Sequence, residues 1–389
     1  MSPIARVVLP MLAVAGSAYA ACSASATATI ENSGDAQALA TCTTFSGSIA
    51  IATGVADDIA LDGIKKLDGN LVIRSNANIK RISGAEMEEI TGSFTLDDVQ
   101  TLTNVEFPKL KTVATLMWNA LPNLQQLAFA SEITKVSEIN IQNTELQSLE
   151  GINVETVDKV FIANNRYIQD ITMQVGNITQ SLTLADNNAD LNVTFPNLLW
   201  AFNMTFRNVS SVTVPSLETL NDSLGLYGNF FESFAAPNLT EVGGALTLVS
   251  NTKLTNISFP QLATIGDNLQ VANNTELNSV DGFPKVETIS GALDLSGNMT
   301  KVDMPALNEV KGAFNLQSSG DTQGACDNFK KLADDGKLKG EYFCEDQVSD
   351  PGTAGTRPTG TTNSQETGAA SHLNVPVMGA AGLLAAFFL

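Results

Sequence analysis
The stretch "GALTLVSNTKLTNISFPQL", residues 244–262, is one complete unit of a pattern that recurs along the chain. Leu246 and Leu248 flank Thr247, so their side chains point to one face of a short strand. Asn251 marks a turn, and Phe259-Pro260-Gln261-Leu262 closes the segment. The stretch "GALDLSGNMTKVDMPAL", residues 291–307, repeats this grammar in different residues.

The apolar-x-apolar element, often preceded two places earlier by Gly or a small polar residue, occurs thirteen times. Its first members are Ile49, Leu71, Phe94, Leu116, Ile139, Val160, Leu182, Met204, Leu224, Leu246, Leu269, Leu293 and Phe314, spaced 20 to 24 residues apart. The partner two residues on is apolar every time, from Ile51 and Ile73 to Leu295 and Leu316. A period this steady belongs to a solenoid. One coil of about 22 residues cannot bury its own apolar stripe, whereas stacked coils cover one another. Each Leu, Ile or Phe side chain so buried is worth roughly 1.5–3 kcal/mol. An antiparallel sandwich would show hairpin turns every 8–12 residues instead. The expectation is an all-β fold, a right-handed parallel β-helix or solenoid of about 12–13 coils.

Asn follows five residues after many of the first members, at Asn76, Asn165, Asn187, Asn229, Asn251, Asn274 and Asn298. Asn tolerates left-handed geometry and bonds its own backbone, which suits a corner. Pro in Phe259-Pro260, Phe283-Pro284 and Met304-Pro305 suits a corner that needs no ladder donor.

Residues 1–20 hold one basic residue, Arg6, then an apolar run and Ala18-Tyr19-Ala20, the pattern of a secretory signal peptide. The other end finishes in fifteen largely apolar residues from Val375 with no charge among them, too short and abrupt for a span with a cytoplasmic tail. Small residues at Gly368, Ala369 and Ala370, a spacer and this tail fit a GPI signal. Gly368 is the expected attachment residue, and 369–389 the removed propeptide. Between lies 346–368, rich in Gly, Pro, Ser and Thr without apolar periodicity, which reads as a stalk. The ordered domain is thus 21–345.

The chain has 21 Lys and Arg against 41 Asp and Glu. Losing Arg6 with the signal leaves 20 against 41, a net charge of −21, which repels nucleic acid and anionic membranes. The four cysteines form two sequence-local pairs, Cys22 with Cys42 and Cys326 with Cys344. Three pairings are formally possible. The local one is favoured because a dozen coils at ~4.8 Å separate the ends by roughly 55–60 Å, beyond disulfide reach. Each pair would cap one end of the array. A zinc site is disfavoured by the wide spacing and the lack of nearby His. Nine Asn-x-Ser/Thr sequons stand at Asn177, Asn192, Asn203, Asn208, Asn221, Asn238, Asn256, Asn273 and Asn298. In a secreted chain they imply glycans on exposed backbone.

The sole His is His372, inside the tail, so His-dependent triads are excluded from the mature chain. No P-loop or dinucleotide fingerprint is present, and neither a cofactor nor a metal is called for. A carboxylate-pair glycosidase survives as the alternative, with Asp97-Asp98 the best doublet. Against it, acidic pairs at strand ends are ordinary solvated turns. The residues between the apolar pairs, Thr95, Asn140, Thr183, Thr205, Thr247, Gln270, Asp294 and Asn315, would face outward. They offer a flat surface for a glycan or protein, with Phe161 and Tyr227 as aromatic contacts, or simply the solvent side of a sheet rich in strand-forming Thr.

The Gly-x-Leu-x-Leu and Phe-Pro-x-Leu segments, the flanking cysteine pairs and the signal-to-tail layout together resemble the fungal GPI-anchored cell-wall organisation proteins. Those proteins are similar to the receptor L-domain, a leucine-rich β-helical module. The resemblance runs from about Cys22 to Cys344. It implies a non-catalytic surface glycoprotein of wall integrity and morphogenesis, on the outer face of the plasma membrane or in the wall. Its partners would be wall glycans or surface proteins, and the membrane through its anchor. The stalk departs from the family in being short and poor in Ser, and no dibasic pair precedes Gly368.

Overall fold
The computed structural model describes residues 22–322 and 324–352. The signal peptide at 1–20, Gly368 and the tail lie outside the described residues. Packing divides the chain into two compact units, one ending at Leu198 and one starting at Leu199. Both are parallel β-solenoids, about 13 turns in all, and every strand pair described in either is parallel.

A single coil shows the plan. Glu241–Val242 forms a short strand on one face, Leu246–Val249 the strand of the main face, and Asn256–Ser258 that of a third face. In register with Leu246–Val249 lie Leu224–Tyr227 in the coil before and Leu269–Ala272 in the coil after. Leu246 therefore stacks on Leu224 and Leu269, and Leu248 on Leu226 and Val271. All twenty-six residues of the thirteen apolar pairs are buried, the most exposed being Ile51 at 4%. The expected parallel solenoid and its inward face are what the molecule adopts.

Three corners close each coil, and each has its own chemistry. Between the first two faces glycines run in columns. A Cβ built on Gly266 would sit 1.9 Å from the Gly243 carbonyl oxygen, and one on Gly69 2.3 Å from that of Gly47. No side chain fits there, because the backbones of successive coils touch.

At the corner after the main strand, Asn plays a different part from the one expected. The left-handed residue is the one before it: Ser75 (φ 46), Asn164 (φ 57), Gly228 (φ 59), Ser250 (φ 59) and Asn273 (φ 56). The Asn itself turns inward and links coils. Asn229 N–H donates to Asn251 Oδ1 at 2.9 Å and Asn251 N–H to Asn274 Oδ1 at 2.9 Å, all three side chains being buried. In the first unit Thr144 and Asn165 join with Asn187 in the same way. Buried amides persist only where both ends are satisfied, and the stack satisfies them. Asn298 falls outside the column, its Nδ2 donating to Thr275 O.

The third corner is the apolar-Pro-x-Leu element. Leu262 N–H returns to Phe259 O at 3.3 Å, Leu239 to Ala236 at 3.3 Å and Leu307 to Met304 at 3.1 Å. Pro thus occupies the second place of a four-residue turn, where its fixed φ is pre-set. The Phe rings stack inside, Phe234 on Phe259 at 5.6 Å and Phe259 on Phe283 at 5.1 Å.

Both disulfides form as expected, Cys22–Cys42 and Cys326–Cys344, with Cα separations of 5.5 and 5.6 Å. Cys326–Cys344 joins a helix to a strand, and Cys22–Cys42 closes the segment that contains the other helix. Ser33–Ala38 is capped by Asn32, whose side chain accepts from Gly34 and Asp35 N–H. Ala325–Asp334 carries Phe329 onto Phe314, ring centroids 4.8 Å apart. Two strands lie beyond the thirteen repeats. Ala28–Ile30 pairs with Ile49–Ile51, and Tyr342–Glu345 pairs with Phe314–Ser318, so Cys344 belongs to the sheet rather than lying outside it.

Candidate functional site
Parallel register turns the outward residues of the main face into straight columns. In the second unit one column reads Thr205, Gly225, Thr247, Gln270, Asp294 and Asn315, and its neighbour Arg207, Tyr227, Val249, Ala272, Ser296 and Gln317. Gly225 has no side chain because the Tyr227 ring occupies that space, its Cε2 lying 2.4 Å from where a Cβ would be. The Arg207 guanidinium stands 5.2 Å from the Tyr227 ring centroid, a cation–π arrangement that fixes both side chains.

The C-terminal part of this face is closed. Gln270 Nε2 donates to Asp294 Oδ2 at 2.9 Å, and Asn315 Nδ2 to Asp294 Oδ1 at 2.7 Å. The backbone of Gly352 then crosses over, its N–H donating to Gln317 Oε1 at 2.9 Å and its carbonyl accepting from Asn315 Nδ2 at 3.2 Å. Asp294 and Asn315, expected at the solvent surface, are buried as a result. Asp346 accepts from the N–H and hydroxyl of Thr322, and Val348 N–H donates to Ser318 O. Residues 346–352, the start of the segment read as stalk, are thus tied to the solenoid. The accessible part of the face runs from Thr205 to Gln270.

In the first unit the corresponding column holds Thr95, Met117, Asn140, Phe161 and Thr183. Met117 is exposed, Asn140 and Phe161 are half-buried, and Thr95 is buried rather than solvent-facing. Asp97 accepts from Asn119 Nδ2 at 3.0 Å, and Asn119 in turn from Asn143 at 2.8 Å. Asp98 sits at the left-handed corner (φ 55) and accepts from Gln100 Nε2. The doublet therefore serves a ladder and a turn. A hollow of about 800 Å³ lies at an irregular coil of this unit, lined by Glu106, Pro108, Leu127, Phe129, Gln147 and Gly151. Its Glu106 is paired with Arg81 at 2.5 Å.

Carboxylates held below their ordinary range lie elsewhere. Hydrogen bonding from the Lys109 ammonium lowers Glu86, that from Lys301 lowers Asp281, and the Ser33 backbone N–H lowers Asp57. Among the described residues no group of three or more His, Cys, Asp or Glu could hold a metal ion.

None of the nine sequon asparagines is buried. In the second unit Asn203 and Asn221 stand at the corner before the main strand, and Asn208, Asn273 and Asn298 after it. Asn238 lies in the Pro turn and Asn256 on the third face. In the first unit Asn177 opens the strand Asn177–Ala185, and Asn192 lies on the third face. The outward columns of the main face carry none. This distribution follows no simple rule visible in the sequence, because only the coil geometry assigns each Asn to a corner or face.

A disulfide-capped parallel solenoid with sequons at its corners and a bare polar sheet face belongs to the class of surface repeat proteins. The family model described as Ecm33, GPI-anchored cell wall organization protein, matches residues 5–40. "Protein ecm33" of Aspergillus fumigatus is 39% identical over 359 residues, 92% of this chain and 89% of its own. "Cell surface GPI-anchored protein" of Arthroderma benhamiae is 38% identical over 385 residues, 99% of this chain and 97% of its own. "Cell wall protein ecm33" of Schizosaccharomyces pombe is 29% identical over 82% of this chain. The chain belongs to this family of GPI-anchored cell wall organisation proteins, and its role is cell wall organisation at the cell surface. No solved structure matches it.

Proposed function
We propose that this chain organises the wall without catalysis, as an anchored glycoprotein that binds a wall glycan or wall protein on the main face of its second unit. Thr205, Arg207, Tyr227, Thr247 and Gln270 form the contact surface. Residues 1–20 are its signal peptide, residues up to Gly368 its stalk, and Gly368 the attachment point of its glycolipid. The observation that carries this reading is the placement of the sequons. Five of the seven in the second unit stand at the two corners that border this face and none falls on it, so glycosylation would frame this surface and leave it open to a partner. The absence of His before residue 372 and the engagement of Asp97 and Asp98 by amide side chains support a binding role.

The test places a glycan on the face. Thr247→Asn with Val249→Thr creates a sequon there, while Ser211→Asn creates one on the third face. The expected result is that the first variant reaches the surface at normal level yet fails to restore wall-stress resistance, whereas the second restores it. Full function from the first variant, shown to be glycosylated, would sink the proposal. A hydrolysis screen on β-glucan, chitin and mannan is expected to show no turnover. Turnover abolished by Asp97→Asn with Asp98→Asn would replace binding by catalysis.

A further inference from the structure
Phe202 breaks the rule of its corner. From the last inward residue of the first-face strand to the first of the main strand, other coils of the second unit take four steps, as from Val242 to Leu246. This one takes three, from Ala201 to Met204. Where other coils place Gly or Asp, the shortened corner carries Phe202, 42% exposed. Leu199 is 48% exposed and Trp200 half-buried beside it. Two of the four exposed large apolar side chains among the described residues thus lie within four positions. Together they leave apolar surface open to a covering group at this corner.

The next coil supplies one. Trp200 pairs with Thr219 and Ala201 with Leu220, and the ladder runs on as Asn221 N–H donates to Ala201 O at 3.0 Å and Asp222 N–H to Phe202 O at 2.7 Å, so the Asn221-Asp222 corner lies directly against Phe202. Asn221 opens the sequon Asn221-Asp222-Ser223 and is exposed. The nearby sequon Asn203 is half-buried, with its Nδ2 committed to Asp222 Oδ2 at 3.2 Å.

We propose that Asn221 carries an N-linked glycan whose first N-acetylglucosamine lies against the Phe202 ring, flanked by Trp200. The axial C–H groups of a pyranose present an apolar, slightly positive face, which complements the negative face of an aromatic ring. The glycan is then part of the folded surface and covers the apolar corner. This inference does not depend on what the main face binds.

Glycopeptide mapping of the full chain from a fungal host is expected to find Asn221 occupied. Phe202→Ala is expected to lower Tm by about 2–4 °C in the glycosylated protein, the shift for roughly 1 kcal/mol in a unit of this size. It should leave Tm unchanged in an Asn221→Gln background. It should also speed removal of the Asn221 glycan by an endoglycosidase under native conditions. An unoccupied Asn221, an equal Tm effect in both backgrounds, or coupling abolished by Asn203→Gln instead would overturn the proposal.

Discussion

Replacing Asn251 by Ala tests whether the inward asparagines hold the coils together. The Asn251 side chain is fully buried and makes four hydrogen bonds. Its Oδ1 accepts from the N–H and the Nδ2 of Asn229, both at 2.9 Å, and its Nδ2 donates to Leu226 O at 3.0 Å and Asn274 Oδ1 at 3.1 Å. After the change Asn229 Nδ2 keeps Phe206 O at 3.1 Å, and Asn274 Oδ1 keeps the Asn251 backbone N–H. The Asn229 N–H has nothing left. An orphaned buried donor costs about 1–3 kcal/mol, and each other lost bond about 0.5–1.5 kcal/mol. The loss should total about 2.5–7.5 kcal/mol. At ~2 °C or more per kcal/mol, Tm of the second unit should fall by at least about 5 °C in calorimetry. Asn251→Asp keeps the acceptor but sets a carboxylate oxygen against Leu226 O and Asn274 Oδ1, so it should be as damaging at pH 7. Protonation restores a donor, so the new carboxyl has a raised folded-state pKa. Its stability is therefore present at low pH and lost as pH rises through that value. A fall under about 3 °C for Ala, or a pH-independent loss for Asp, would refute the ladder as a stabilising device.

Gly266→Ala should destabilise by about 1–3 kcal/mol or more, since its methyl would overlap the Gly243 carbonyl; Gly297→Ala, with nothing within 4 Å of its Cβ, should be neutral in the same urea titration. Burial, reinforced by Asp327 and Asp334, pushes the Tyr342 hydroxyl up to about 12 from an ordinary 10. A raised pKa contributes stability below the unfolded value and loses it as pH rises through the folded one, so the C-terminal cap should weaken between pH 10 and 12. Tyr342→Phe should flatten that dependence while giving up the 2.9 Å bond to Cys326 O. Cys326→Ser with Cys344→Ser opens a loop of sequence separation 18 and should cost about 3 kcal/mol, read as a lower unfolding midpoint with the last strand exchanging first. Truncation before Val375 should send the chain to the medium, and persistence at the membrane would remove support for the GPI tail.

The thirteen inward pairs were legible in the sequence because their signal is local and repeated. An apolar side chain two residues from another on a strand shares its face, and a period of 20 to 24 residues leaves stacking as the way to bury both. The cysteine pairing was legible for a related reason, since each partner lies within one coil. Other features escaped because their cause sits one coil away. Nothing near Asn251 in the chain says that its side chain turns inward to Asn229 and Asn274; residues 22 and 23 positions distant decide it. Ala28-Thr29-Ile30 carries the apolar-x-apolar pattern 21 residues before Ile49 but with a small first member, and Tyr342–Glu345 stands 28 residues after Phe314, off the period; it pairs because an unpaired edge stands beside it.

The class of fold, the inward face and the presence of the sequons are all written in the local order of residues. The folded chain alone fixes that Gly352 closes one end of the main face, that Gly225 makes room for Tyr227, and that Phe202 meets the Asn221-Asp222 corner. Those are contacts between coils. Their register depends on every corner in between, and a shortened corner such as that from Ala201 to Met204 has no effect on local pattern while it redirects the side chains that meet.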